Sequence, residues 1–196
     1  MENKFKMPTK STLKSRISTI NNAFVISMTP WDNPTEDEIE EMYKQLKIKP
    51  GQCAYCLRDA TTADHINNLV RGGEPSGYIT EKNNLVPCCT SCNSSKNKKS
   101  FEEWYTDPKI QENLKNKAGL TIQQIQERKQ IIENYIKNNQ PIHLDYKTIL
   151  GEENYKKYQE MNNEINRKLK EYQTYCDSFK EEIEKYYKEK YKKHLR

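Results

Sequence analysis

The sequence predicts an α+β fold in which a short cysteine-rich core lies between two mainly α-helical extensions, and three observations predict it. Apolar residues recur at helical spacing on both sides of the middle of the chain. Five of the six cysteines and four of the six glycines fall between residues 51 and 104. The hydrophobic share is 34% against a charged share of 31% in 196 residues, which leaves little apolar side chain for a large core. The mean hydropathy is −1.11, and no apolar run approaches the roughly 18 residues of a membrane helix, so a transmembrane chain is excluded. No apolar stretch follows the basic start, so no secretory signal is expected and the cytoplasm is the expected compartment. In that reducing setting, cysteines hold metal more often than they pair as disulfides.

Taken in order, residues 1–50 are expected to form a basic arm and a short helix. Over residues 1–33, Lys4, Lys6, Lys10, Lys14 and Arg16 outnumber Glu2 and Asp32, and the first residues are expected to be poorly ordered. Thr35 followed by Glu38 has the pattern of a capping box, and Ile39, Met42, Tyr43 and Leu46 recur at steps of three and four, which predicts a helix over 35–47 ahead of Pro50. The net charge of +5, from 33 basic and 28 acidic residues, favours a polyanionic partner only slightly.

Residues 105–196 are expected to be helical. Thr121 and Gln124 form a second capping-box pattern with Leu120 and Ile125 as its hydrophobic staple, and Ile122, Ile125, Ile132, Tyr135 and Ile136 mark one face of a helix ending near Asn139. A final helix is predicted over 152–193. Tyr155, Tyr158, Asn162, Ile165, Leu169, Tyr172, Cys176, Phe179, Ile183, Tyr186 and Lys190 alternate steps of three and four along it. Such a stripe must pack on another helix, either a neighbour in the chain or a second subunit's copy, so a homodimer is expected. The helical region is expected to serve DNA recognition, dimerisation or both.

Residues 51–104 carry the chemistry. Cys53 and Cys56 form one CxxC pair, and Cys89 and Cys92 another, each able to offer two thiolates to one tetrahedral ion. The 32 residues between the pairs exceed the roughly 15–20 of a simple zinc ribbon, so a further element is inserted between them. A four-cysteine shell is closed, so its zinc is structural and catalysis must come from the insert. Cys88 breaks the CxxC spacing to Cys92, and Cys88 and Cys176 are read as small packed residues. His143 and His194 have no partner in the sequence and are given no role.

The insert holds Asp64-His65-Ile66, Arg71-Gly72-Gly73 and Asn84-Leu85-Val86, and runs into Cys89-Thr-Ser-Cys92-Asn93 with Lys96 three residues on. An imidazole titrates near neutral pH and suits a general base, and an adjacent carboxylate supplies the hard oxygen that Mg²⁺ prefers. In this order the motifs resemble the HNH, or ββα-metal, endonuclease family over residues 51–104, roughly a quarter of the chain. The resemblance implies a zinc-stapled ββα-metal core, with a strand bearing Asp64 and His65, a second strand near 84–86 and a helix from Asn93 through Trp104. It further implies that His65 is the general base, that Asn84 contacts His65 and fixes its orientation, and that Asp64 and Asn93 ligate the catalytic metal. The metal expected there is Mg²⁺, replaceable by Mn²⁺. Asn93 makes this an HNN variant, and it also suits a helix N-cap. Asn67 replaces a proline common in the family. Lys96, Lys98 and Lys99 are expected on the first turns of the helix, and with Arg71 they are expected to contact double-stranded DNA.

The implied activity is a metal-dependent DNA endonuclease leaving 5′-phosphate and 3′-hydroxyl ends, with a type II restriction enzyme favoured by the size of the flanks. A homing, phage or junction-resolving nickase and a catalytically inactive zinc-stapled DNA-binding module are the alternatives.

Overall fold

The computed structural model describes residues 8–191. The expectations for Glu2, Lys4, Lys6, Lys193 and His194 lie outside the described residues. The fold is α+β, with the elements in the order α1 (Ile17–Met28), α2 (Glu36–Gln45), β1 (Thr62–His65), β2 (Val70–Arg71), β3 (Glu74–Pro75), β4 (Leu85–Cys88), α3 (Thr90–Lys96), α4 (Phe101–Tyr105), α5 (Pro108–Ala118), α6 (Ile122–Asn138) and α7 (Tyr146–Tyr191). They fall into two compact units. One spans residues 25–149, and the other combines residues 8–24 with 150–191.

In the larger unit both expected capping boxes form. Thr35 accepts from the Glu38 amide while Glu38 accepts from the Thr35 amide, and Thr121 and Gln124 repeat the arrangement at α6. α5 has Asp107 as its N-cap, Pro108 in its first turn and Gly119 in the left-handed region (φ 72°) as its C-cap. β1 pairs antiparallel with β4, in a register that sets Asp64 opposite Val86 and His65 opposite Leu85. β2 and β3 form a hairpin closed by Gly72 and Gly73, whose positive φ angles suit a two-residue turn.

The expected helix over 93–104 is two helices. The chain leaves helical conformation at Asn97 (φ 50°, ψ −121°) and restarts at Phe101 with Ser100 as N-cap, so Lys98 and Lys99 lie in the turn between α3 and α4. α3 also starts earlier than expected. Its N-cap is Cys89, whose Sγ accepts from the Cys92 amide at 3.4 Å, and Asn93 sits inside the helix.

A continuous core surrounds the cysteines. Met42 of α2 and Leu46 at its C-cap, Phe101, Trp104 and Tyr105 of α4, Leu114 of α5 and Ile125, Ile132 and Tyr135 of α6 pack with Tyr55 and Val86. The Tyr55 ring stacks on Phe101 and meets Trp104 edge-on at 4.9 Å. Ile122, placed by its spacing on the inner face of α6, is exposed instead. That face also buries Arg128, discussed below.

In the other unit, α7 kinks at Gly151 (φ 73°, ψ 162°). Phe24 stacks on Tyr158 with ring centroids 5.5 Å apart, and the Leu13 amide donates to Gln173 at 2.8 Å, so residues 13–24 lie along the first part of the α7 stripe. Tyr158 and Asn162 are buried there. Tyr172, Phe179, Ile183 and Tyr186 of the stripe are nonetheless exposed, and Cys176, expected to be packed, is exposed as well.

Candidate metal and catalytic centre

Two turns of chain and one helix end bring four thiols together. After Cys53 the chain folds back, with Leu57 donating to the Cys53 carbonyl and Cys53 donating to the Arg58 carbonyl, and α3 begins between Cys89 and Cys92. The Sγ atoms of Cys53, Cys56, Cys89 and Cys92 all lie within 4.8 Å of one another, and all four residues are buried. The Cys56 and Cys89 sulfurs are 3.7 Å apart, close to the edge of about 3.8 Å of a tetrahedron with zinc–sulfur bonds of about 2.3 Å. Cys88 is buried outside this set, with its thiol donating to the Cys89 carbonyl.

The thiols also bear on one another electrically. Hydrogen bonds, that from Cys56 first, hold the Cys53 thiol well below its usual range, while hydrogen bonding to Cys53 pushes Cys92 well above it. A thiolate at Cys53 opposes one at Cys56 and one at Cys92, and a cation among the four sulfurs would relieve that opposition. Arg128 reaches the same cluster from α6. It is 4% exposed and donates through Nε and Nη2 to the Ala54 carbonyl, at 3.1 and 2.6 Å, and through Nη1 to the Leu46 carbonyl at 2.6 Å. Its guanidinium therefore ties the first CxxC turn to α2 and α6. Helical spacing gave no sign of this, because a lone arginine on an apolar face reads as a solvated charge.

Alternation along β1 sends Asp64 inward and leaves the next residue, His65, half-buried. Asp64 Oδ2 accepts from the Tyr55 hydroxyl at 2.6 Å and pairs with Lys96 Nζ at 3.1 Å, whereas Oδ1 takes no hydrogen bond from the described residues. Asn93, on α3, donates through Nδ2 to the Ala63 carbonyl at 3.2 Å. Only the amide nitrogen can bond a carbonyl, so the Asn93 oxygen is left as an acceptor. A carboxylate oxygen and an amide oxygen are thus presented from adjoining segments, a hard-oxygen pair that fits Mg²⁺, which takes one or two protein ligands and keeps its waters.

His65 is held differently from expectation. Its Nε2 hydrogen bonds to Thr80 Oγ1 at 2.9 Å, and its carbonyl accepts from Lys96 Nζ at 2.8 Å. Burial lowers the imidazole pKa below its usual 6.5 against the raising pull of Asp64, and the Lys96 charge lowers it further. Asn84, expected to contact His65, is fully buried and bonds instead to the backbone around it. Its Oδ1 accepts from the Asn67 amide at 2.8 Å, and its Nδ2 donates to the carbonyls of Asn67 (3.0 Å) and Ile79 (2.9 Å). The register that sets His65 opposite Leu85 aims Asn84 at the chain beyond β1. Asn84 therefore pins the chain just after His65 to the loop just before Thr80.

The four basic residues expected at DNA separate. Lys96, expected to face phosphate, has no exposed surface, because the buried Asp64 carboxylate holds it. Lys99 pairs with Asp107 at 2.9 Å. Arg71 and Lys98 are exposed and line one cleft of about 200 Å³ with Asn67, Asn68 and Tyr78, immediately after His65.

Residues 53–99 match the family model described as HNH endonuclease, so the chain carries an HNH endonuclease domain there, between helical extensions. No curated protein and no solved structure matches the chain. No helix among the described residues is long and apolar enough to cross a membrane.

Proposed function

We propose, from the HNH endonuclease domain at residues 53–99, that the protein is a metal-dependent endonuclease that hydrolyses double-stranded DNA to 5′-phosphate and 3′-hydroxyl ends. The observation that carries this reading is the half-buried His65 beside two oxygen donors whose other atoms are already engaged, Asp64 by Tyr55 and Lys96 and Asn93 by the Ala63 carbonyl.

His65 is the general base. Its Nε2 is occupied at Thr80, so Nδ1 is the atom that takes a proton from the attacking water. Asp64 and Asn93 hold Mg²⁺, replaceable by Mn²⁺, which when bound neutralises charge on the phosphate and on the departing 3′ oxygen. Lys96 is a neutralising partner of Asp64 rather than a DNA contact, and Arg71 and Lys98 bind phosphates beside the scissile one. Cys53, Cys56, Cys89 and Cys92 hold a structural zinc that fixes the start of α3, and with it Asn93.

The finer role proposed is that of a type II restriction endonuclease. The uncovered stripe of α7 supports a homodimer, whose two sites would cut both strands. The helical extensions would then supply base recognition.

The test is cleavage of supercoiled plasmid with Mg²⁺ by the wild type, His65→Ala and Asn93→Ala. The wild type cuts, His65→Ala loses roughly 10²–10⁴-fold in rate, and Asn93→Ala loses cleavage but keeps DNA binding, since no charge is removed. Intact plasmid with the wild type overturns the nuclease reading. Sequencing the ends from a random DNA pool tests the restriction role, with recurrent sites supporting it and scattered nicks refuting it.

A further inference from the structure

We propose that Thr80 is the positioning residue of His65: its hydroxyl accepts the Nε2 proton, which leaves Nδ1 bare to take a proton from water. The inference rests on the nuclease reading for its consequence in catalysis, but its geometry stands apart from it.

A neutral imidazole carries one proton, and the group that binds one ring nitrogen decides which atom keeps it. Thr80 Oγ1 lies 2.9 Å from His65 Nε2, and Thr80 is only 1% exposed, so water does not compete for that nitrogen's partner. A hydroxyl oxygen accepts from Nε2–H in the neutral ring and again in the imidazolium formed once Nδ1 is protonated. An ammonium or amide nitrogen in the same place would donate only, and would hold the proton on the wrong atom.

The loop carrying Thr80 is fastened by two straps that both lie outside residues 53–99. On one side Trp31 forms a parallel bridge with Thr80, and the Asp32 amide donates to the Thr80 carbonyl at 2.8 Å. On the other, His143 forms an antiparallel bridge with Tyr78, the Leu144 amide donates to the Gly77 carbonyl at 2.8 Å, and the Ile142 amide donates to Glu81 Oε1 at 3.2 Å. A Cβ on Gly77 would come within 2.3 Å of the His143 ring, so the second strap seats directly on the loop backbone. The segments flanking the HNH match therefore set the ring of its proposed base, and His143, without a partner in the sequence, finds one here.

The experiment compares full-length wild type, Thr80→Val and Thr80→Ser. Valine keeps the shape and the backbone bond to Asp32 but lacks the hydroxyl, whereas serine restores it. Thr80→Val is expected to lower kcat roughly 10- to 100-fold, the range for losing a partner that orients a histidine, with KM for DNA within about twofold and Thr80→Ser close to wild type. Nitrogen-15 NMR of the His65 ring, without added Mg²⁺, is expected to show Nε2–H in wild type and Thr80→Ser and a mixture of tautomers in Thr80→Val. A proton resident on Nδ1 in the wild type overturns the proposal, as does a Thr80→Val protein with wild-type kcat and tautomer. Should Thr80→Val fail to fold, the wild-type and serine spectra decide. An inactive wild type with the Nε2–H tautomer refutes the nuclease reading and leaves the ring assignment supported.

Discussion

Lys96 Nζ lies 3.1 Å from Asp64 Oδ2 with both side chains shielded from solvent. The carboxylate proposed to bind metal is therefore already half of a buried ion pair, and the lysine that follows the second CxxC by four residues is an internal cation. Breaking such a pair from one side strands a charge in the interior.

Lys96→Met is accordingly expected to destabilise the fold by about 3–5 kcal/mol, because Asp64 is left buried without its cation. Adding Asp64→Asn removes the stranded charge, so the double variant should be more stable than Lys96→Met alone. Urea denaturation of the two single variants and the double variant measures the coupling. Losses that simply add would mean that the two groups do not support each other.

Arg128 makes three hydrogen bonds to the Ala54 and Leu46 carbonyls. Arg128→Met keeps the apolar stem but orphans both carbonyls, each at a cost of roughly 1–3 kcal/mol. Since Ala54 lies inside the first CxxC turn, the four-cysteine site should also release its metal to a chelator more readily, by roughly the 10- to 100-fold typical of a lost supporting contact. Metal analysis of the wild type is expected to give one zinc per chain. Unchanged chelator resistance in Arg128→Met would separate the arginine from the metal site.

The parts of the fold legible in the sequence are those with local chemical signatures. Thr35 with Glu38 and Thr121 with Gln124 marked α2 and α6, because a capping box is a contact across three residues. The four thiols were legible because CxxC spacing carries its own geometry. α1 was missed because the chain ahead of Thr35 was read from its Lys and Arg residues as a basic arm, and Ser18, Thr19, Asn21 and Asn22 interrupt the apolar spacing of this helix. α5 was covered only by the general expectation that residues 105–196 are helical, although Asp107, Pro108 and Gly119 mark its ends. Long-range pairings were not legible at all. Nothing local in Thr80 points to His65, 15 residues away, and nothing in Arg128 points to Ala54, 74 residues away. Such contacts are set by how α2, α6 and the loops dock, not by spacing along the chain.

The pH dependence of cleavage follows from the burial of His65, which together with the Lys96 charge outweighs the pull of Asp64 and sets its pKa below 6.5. The base must be neutral to accept a proton, so the rate is full above its pKa and falls as pH drops through it. The acid limb of kcat/KM, which reports the free enzyme, is therefore expected below pH 6.5, with a plateau through neutrality. An acid limb centred at pH 7 or higher would contradict His65 as a base in this environment.

The stripe of α7 supplies the last prediction. Its steps of three and four continue unchanged from Tyr155 to Lys190, a 3.5-residue period that lets two helices keep one seam in contact. Residues 13–24 cover the seam around Tyr158 and touch Gln173, while Tyr172, Phe179, Ile183 and Tyr186 are each at least half exposed. A second copy offers the same seam with the same period, and a homodimer would bury all four residues on each chain. Sedimentation is expected to give twice 23.3 kDa for the wild type and the single-chain mass for Phe179→Glu combined with Ile183→Glu. The paired substitutions lie outside the unit of residues 25–149 that holds His65, so the variant should still nick plasmid while losing double-strand cuts. A wild type that sediments as a single chain removes the dimer, and with it the proposed route to cutting both strands.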